Sequence, residues 1–212
     1  MDFDIRAGVL VKYNGSATNV IIPDSVKEIE SEVFASLKYI EQVTIPEGVE
    51  VIGNNTFSSC VRLTNIDIPL SVKVIGDNAF SDCVSLTSID IPPGVEKIGS
   101  FVFFNCIALT HASIPASVTS IDPQAFVMLY TNDFDGTSFV PLPSLLSVDM
   151  MDVQWEKFYD LFPKAEGAKP YIEKRRRRYR LQCQHCGGEF TLFGFGRKCK
   201  SCGIKKDYST FI

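Results

Sequence analysis

Four cysteines near the C-terminus carry the most specific chemistry in the 212-residue chain. Cys183, Cys186, Cys199 and Cys202 form two C-x2-C pairs separated by 12 residues. Thiolates at that spacing can close a four-sulfur tetrahedron around one Zn²⁺, the geometry of structural zinc sites. With every position filled by protein, no site is left for a water, so the zinc is expected to be structural rather than catalytic. Glycine follows the second cysteine of each pair, at Gly187 and Gly203, where a tight turn lets backbone N–H groups donate to sulfur. His185 lies between the first two thiolates and is poorly placed to compete as a ligand. A segment of about 40 residues has too small a core to fold alone, so the metal should supply much of its folding free energy.

The elements that would position these ligands are short. Tyr179–Gln182, Glu189–Phe193 and Lys206–Thr210 read as three strands, and over about residues 179–210 the segment resembles a zinc ribbon. A run of cations, Lys174 followed by Arg175, Arg176, Arg177, Arg178 and Arg180 around Tyr179, stands directly before it. Such a run suits phosphate backbones, which makes nucleic acid an alternative partner. It also suits a solvated segment drawn to an acidic surface. That surface exists: residues 171–212 carry a net +8 and residues 1–170 a net −12. Phe193, Phe195 and Tyr208 offer stacking faces, although in so small a unit they serve better as its core.

Outside this segment the chain is a repeat. Ile-Pro recurs at Ile22, Ile45, Ile68, Ile91 and Ile114, every 23 residues without insertion or deletion. Four residues on stands Val (Val26, Val49, Val72, Val95, Val118), and seven on Ile (Ile29, Ile52, Ile75, Ile98, Ile121). Twelve on stands Phe: Phe34, Phe57, Phe80, Phe103, Phe126. A period that strict implies one supersecondary unit per repeat, stacked on its copies to bury a face that no unit can bury alone. Alternation around Ile66 and Ile68 predicts a strand ended by Pro69. Val72 and Ile75 turn inward, and Gly76 marks a turn that Asn54 or Asp77 can cap. Ala79-Phe80-x-x-Cys83 predicts a single helical turn with Phe80 as core plug. Cys60, Cys83 and Cys106 share one column; their side chains point the same way, which suits buried free thiols better than disulfides.

The series Cys60-x-x-Leu63-x-x-Ile66-x-Ile68-Pro69-x-Ser71-Val72-x-x-Ile75-Gly76-x-x-Ala79-Phe80 resembles the BspA-type (treponemal-type) leucine-rich repeat, across roughly residues 3–126. The resemblance implies a right-handed, mainly β solenoid with a parallel sheet on its concave side and an N-terminal hairpin cap at Asp4–Gly15. Many members are adhesion proteins of the cell surface. On that frame Lys27, Glu50, Lys73 and Glu96 form a column of alternating charge, read as a structural ladder. The concave columns are Asn19, Gln42, Asn65, Ser88, His111 and Ile21, Thr44, Asp67, Asp90, Ser113. They are either a recognition surface, with Gln42, Thr44, Asn65, Asp67, Ser88, Asp90 and His111 as contacts, or a solvated sheet face. His111 has no companion ligand in its own rung and reads as a surface histidine.

After Phe126 the register breaks. Val140-Pro141-Leu142-Pro143 and Leu145–Val148 look like a slipped, degenerate rung closing the stack. Asp152 then caps a short amphipathic helix whose Trp155, Phe158 and Phe162 share a face, and Pro163–Pro170 reads as a linker. The domains expected are 1–150 for the solenoid, 151–170 for the capping helix and linker, and 171–212 for the basic segment and ribbon. Composition is that of a soluble protein, at 45% hydrophobic and 22% charged. The opening MDFDIRAGVLVKYNG lacks the basic and apolar regions of a signal peptide, and no apolar run is long enough to span a membrane. A cytoplasmic location with reduced cysteines is therefore expected. No nucleophile–base pair, carboxylate dyad or phosphate loop stands out. A non-enzymatic scaffold for protein–protein interaction is the expected function, and an enzyme with a pocket between the two parts is the weakest reading.

Overall fold

The computed structural model describes residues 2–132, 136–150, 157–165, 190–193, 196–199 and 205–207. Contacts divide the chain into two units, Met1–Ala168 and Lys169–Ile212. The first opens with β1 (Phe3–Arg6) and β2 (Val9–Tyr13), an antiparallel hairpin. Two strands per repeat follow. One set comprises β3 (Asn19–Ile21), β5 (Gln42–Thr44), β7 (Asn65–Asp67), β9 (Ser88–Asp90) and β11 (His111–Ser113). The other comprises β4 (Glu28–Ile29), β6 (Val51–Ile52), β8 (Val74–Ile75), β10 (Lys97–Ile98) and β12 (Ser120–Ile121). Residues 23 apart pair in parallel, as Val20 with Val43 and Ile52 with Ile75. Between the two strands of each rung the chain turns on the proline, whose carbonyl accepts the N–H of the valine three residues on: Val26 from Pro23 at 3.0 Å, Val72 from Pro69 at 3.1 Å.

The third side of each rung is not the helical turn expected from Ala-Phe-x-x-Cys. Two columns there lie in the left-handed region: Glu32, Asn55, Asn78 and Phe101 at φ 54–64°, and Ser36, Ser59, Asp82 and Asn105 at φ 58–61°. A right-handed helix admits no such residue. The segment is instead a string of tight turns whose N–H groups alternate in direction. Asn55, Phe57 and Ser59 donate across to the next rung's Asp77, Ala79 and Ser81, while Ser58 and Cys60 donate back within the turn to Asn55 and Phe57. This third ladder satisfies backbone groups that a single isolated helical turn would leave open.

The core is an aromatic stack. Phe34, Phe57, Phe80 and Phe103 are fully buried, with neighbouring rings 5.2, 5.5 and 5.6 Å apart and parallel to within 5°. Tyr13 extends the stack at one end and Phe126 at the other. Tyr13 belongs to β2, whose Leu10 pairs with Ile29 as the Ile residues pair among themselves, so the hairpin supplies a first rung outside the five read from Ile-Pro. Cys60, Cys83 and Cys106 are free and buried, and each thiol donates to the carbonyl of Phe34, Phe57 or Phe80 at 3.1–3.2 Å.

The last rung is regular rather than degenerate. A hairpin, β13 (Val127–Asn132) and β14 (Gly136–Pro141), leaves and re-enters at the facing pair Val127 and Pro141. Because exit and entry adjoin, the insertion preserves the side-chain register beyond it. Leu142, Leu145 and Val148 are buried, and β15 (Ser147–Asp149) pairs in parallel with β11. Helical backbone at Lys157 and Phe158 passes into a 3-10 turn at Tyr159–Leu161, and Phe162 sets its ring against Phe126, centroids 5.1 Å apart. Asp152 and Trp155 lie outside the described residues.

In the second unit β16 (Phe190–Phe193), β17 (Gly196–Cys199) and β18 (Lys205–Asp207) form an antiparallel sheet in that order. β17 was not among the strands expected from the sequence, and Tyr179–Gln182 lies outside the described residues.

Candidate functional site

Small polar side chains in a strand whose central residue is buried must face outward, because strand side chains alternate. Val43, Ile66, Ile89, Ala112 and Val148 are each at most 7% exposed. Their flanking residues therefore form two rows on one surface, in register over β3, β5 and β7 and again over β9, β11 and β15. One row runs Asn19, Gln42, Asn65, Ser88, His111, Ser147, and the other Ile21, Thr44, Asp67, Asp90, Ser113, Asp149. All seven residues expected as contacts, Gln42, Thr44, Asn65, Asp67, Ser88, Asp90 and His111, stand on this face. Gln42, Thr44, Asn65, Asp67 and Asp90 are exposed, and Ser88 and His111 are half-buried.

Ser147 and Asp149 complete the face and were missed. The signal was present: Leu145-Leu-Ser-Val-Asp149 repeats Leu86-Thr-Ser-Ile-Asp90. The partners His111 and Ser147 are 36 residues apart rather than 23, an excess of 13 contributed by the inserted hairpin. His111 has no companion in its own rung, as expected, but the next rung brings it a carboxylate. Its Nδ1 lies 3.1 Å from Ser147 Oγ, and its Nε2 3.8 Å from Asp149 Oδ2. Ser, His and Asp are the residue types of nucleophilic catalysis, but here the carboxylate is beyond hydrogen-bond reach and its side chain is 74% exposed. The trio is a polar cluster on the strand face.

The charged column on the other strand set is only partly a ladder. Lys73 pairs with Glu50 at 2.8 Å, which draws the Glu50 carboxyl below its usual range, mainly through the hydrogen bond from Lys73. Among the described residues this is the column's one ion pair, and Glu96 is not joined to Lys73.

Of the expected zinc ligands, Cys199 has its backbone placed, as the last residue of β17 and opposite Phe190. Cys183, Cys186 and Cys202 lie outside the described residues, as do Arg175, Arg176, Arg177, Arg178 and Arg180. No helix among the described residues is long and apolar enough to cross a membrane.

Comparison with known proteins agrees with this architecture. A leucine rich cell surface protein from Faecalibacterium prausnitzii is 30% identical with a TM-score of 0.60, over 69% of this chain and 36% of that one. A leucine-rich repeat protein from Bacteroides ovatus is 28% identical with a TM-score of 0.50, over 70% of this chain and 41% of that one. The leucine rich repeat protein of T. pallidum shares the fold at 22% identity and a TM-score of 0.55, over 75% of this chain and 90% of that one. The chain thus spans well under half of the first two proteins. No curated protein matches it. The family model described as the BspA type leucine rich repeat region matches residues 10–131 in 6 copies, one more than the Ile-Pro count. With its stacked rungs and that match over more than half its length, the chain belongs to the BspA-type leucine-rich-repeat family.

Proposed function

We propose that the chain is a non-enzymatic recognition protein that binds a protein partner through the two polar rows on β3, β5, β7, β9, β11 and β15. One observation carries this reading: two rows of outward-facing side chains, polar in all but Ile21, anchored by six buried strand centres. Strand-anchored side chains present ready-ordered donors and acceptors, which lowers the ordering cost of binding. The reported relatives are described as leucine-rich repeat or cell surface proteins, which supports a scaffold role. The description of the F. prausnitzii protein sits against the cytoplasmic location expected from the opening residues. The test is charge reversal. Asp67→Lys with Asp90→Lys and Asp149→Lys should abolish specific capture of a partner from cells and medium of the source organism, whereas Glu50→Lys with Glu96→Lys should not. Equal capture by both variants would overturn the reading.

The second part of the proposal is a structural Zn²⁺ held by Cys183, Cys186, Cys199 and Cys202. The donor set supports it, four thiolates in two C-x2-C pairs, together with the position of Cys199 at the end of an antiparallel strand. Elemental analysis should find about one zinc per chain, falling on Cys199→Ser; a metal-free wild-type chain would exclude it. The run Lys174–Arg180 favours nucleic acid as a second reading. It requires binding to DNA or RNA that weakens steeply with salt, and no binding at low salt excludes it.

A further inference from the structure

The repeat is uniform in sequence period but not in its ladders. Both strand sets break at the same place: β3-β5-β7 is one sheet and β9-β11-β15 another, while β8 closes one sheet and β10-β12 forms the next. The interruption therefore falls between the rung of Phe80 and the rung of Phe103 on two of the three sides, with one backbone bond kept at the edge of the polar side, from the Thr87 N–H to the Thr64 carbonyl at 3.3 Å. The third side is continuous across it. Asn78, Phe80 and Asp82 donate to Ser100, Val102 and Phe104 at 3.0, 3.0 and 2.8 Å. Asn105 Nδ2 reaches Asp82 Oδ1 at 2.8 Å, and the Ser100 N–H reaches Asp77 Oδ1 at 2.9 Å.

Equivalent residues show where the backbone bonds are lost. Gly53, Gly76 and Asp122 each donate to the Ile one rung back at 2.9 Å; Gly99 makes no such bond to Ile75. Lys73 and Thr119 donate to Glu50 and Glu96 at 2.9 Å, but Glu96 has no bond to Lys73. A Cβ built on Gly53 or Gly76 would meet the preceding rung's backbone at 2.6 Å, whereas on Gly99 it would meet the Asp77 carboxylate but none of that backbone closer than 3.9 Å; at the corner the rungs stay close, a Cβ on Gly94 lying 2.7 Å from the Val72 carbonyl oxygen. Along the opening lies a groove of about 560 Å³ lined by Val74, Ile75, Gly76, Glu96, Lys97 and Gly99. On the polar side Asp67 and Asp90 occupy one row across the break, and like charges in facing positions oppose strand pairing.

We infer that the solenoid hinges at this seam, with the turn side as its spine, so that the polar face consists of two rigid three-stranded halves whose mutual angle adjusts to a partner. Gln42, Thr44, Asn65 and Asp67 ride on one half, and Ser88, Asp90, His111, Ser147 and Asp149 on the other. The consequence for binding rests on the polar face being the recognition surface; the hinge itself does not.

Native-state amide exchange on the partner-free, zinc-replete full-length chain tests the hinge alone. The Gly99 N–H should exchange at least tenfold faster than those of Gly76 and Asp122, with Phe80 and Asp82 on the spine as protected as Phe57 and Ser59. Equal protection at Gly99, Gly76 and Asp122 would overturn the hinge while leaving the polar face standing. Loss of protection at Phe80 and Asp82 together with Gly99 would also overturn it, since the two halves would then separate rather than pivot. The charge-reversal variants above test the face independently.

Discussion

At the scale of the residue, stability rests on side chains that meet their own kind every 23 positions. A ring in mid-stack touches two others, each aromatic pair adding about 0.5–1.5 kcal/mol beyond area burial. Phe80→Ala is therefore expected to cost about 3–5 kcal/mol in chemical denaturation, and Phe139→Ala, half exposed but set against Phe101 and Phe104, only about 1 kcal/mol. The thiols give a second prediction. Burial pushes Cys60 from 9.0 up to about 12, and raises Cys83 and Cys106 likewise. The folded chain keeps these protons where the unfolded chain releases them. Their contribution is complete below about pH 9 and is lost as pH rises toward about 12. Urea midpoints followed upward from pH 8 should fall with a slope that Cys60→Ala makes shallower. The core columns and buried thiols were legible because position in the period fixes direction in the stack. Tyr13 was not, because it reaches the aromatic stack from the hairpin, two residues out of phase with the Phe column.

At the scale of the element, strands and proline corners could be read from alternation, but the third side could not. Ala-Phe-x-x-Cys has the composition of a helical turn, and what excludes the helix is a pair of left-handed columns. Asn55 and Asn78 hint at one of them, while Glu32 and Phe101 conceal it. Phe101 holds that conformation with its ring against Phe104 and Phe139, 5.4 and 5.5 Å away. The final rung was hidden for a different reason, an insertion that interrupts the count without disturbing the stack. Excising residues 128–140 joins Val127 to Pro141, already cross-strand neighbours, and restores the 23-residue spacing from Leu109 to Leu145. The shortened chain should fold with an unchanged far-UV spectrum beyond the lost hairpin, and with β15 amides as protected as in the parent. Loss of that protection would mean that the hairpin holds the rung rather than interrupting it.

At the scale of the whole molecule, two units have different sources of order. Met1–Ala168 is held by repetition: three backbone ladders, two of them interrupted once, and one continuous core. Lys169–Ile212 has three short strands among its described residues, and the proposed zinc site predicts that its folding depends on metal. The charge division that separates them was visible in the sequence, since acidic residues crowd the repeat and basic ones the tail. The seam was invisible there, because Gly53, Gly76 and Gly99 are the same letter in the same column and differ only in how closely the previous rung's backbone approaches.

The central claim is that recognition occurs on the polar strand face. Its most direct test is contact mapping by photo-cross-linking, with a photoreactive residue placed in turn at Asn65, Ser88 and Ser147, and, on the other strand set, at Val74 and Ser120. Incubated with material from the source organism, the first three positions should yield one shared protein adduct and the last two none. Adducts at Val74 and Ser120 without any at Asn65, Ser88 or Ser147 would contradict it.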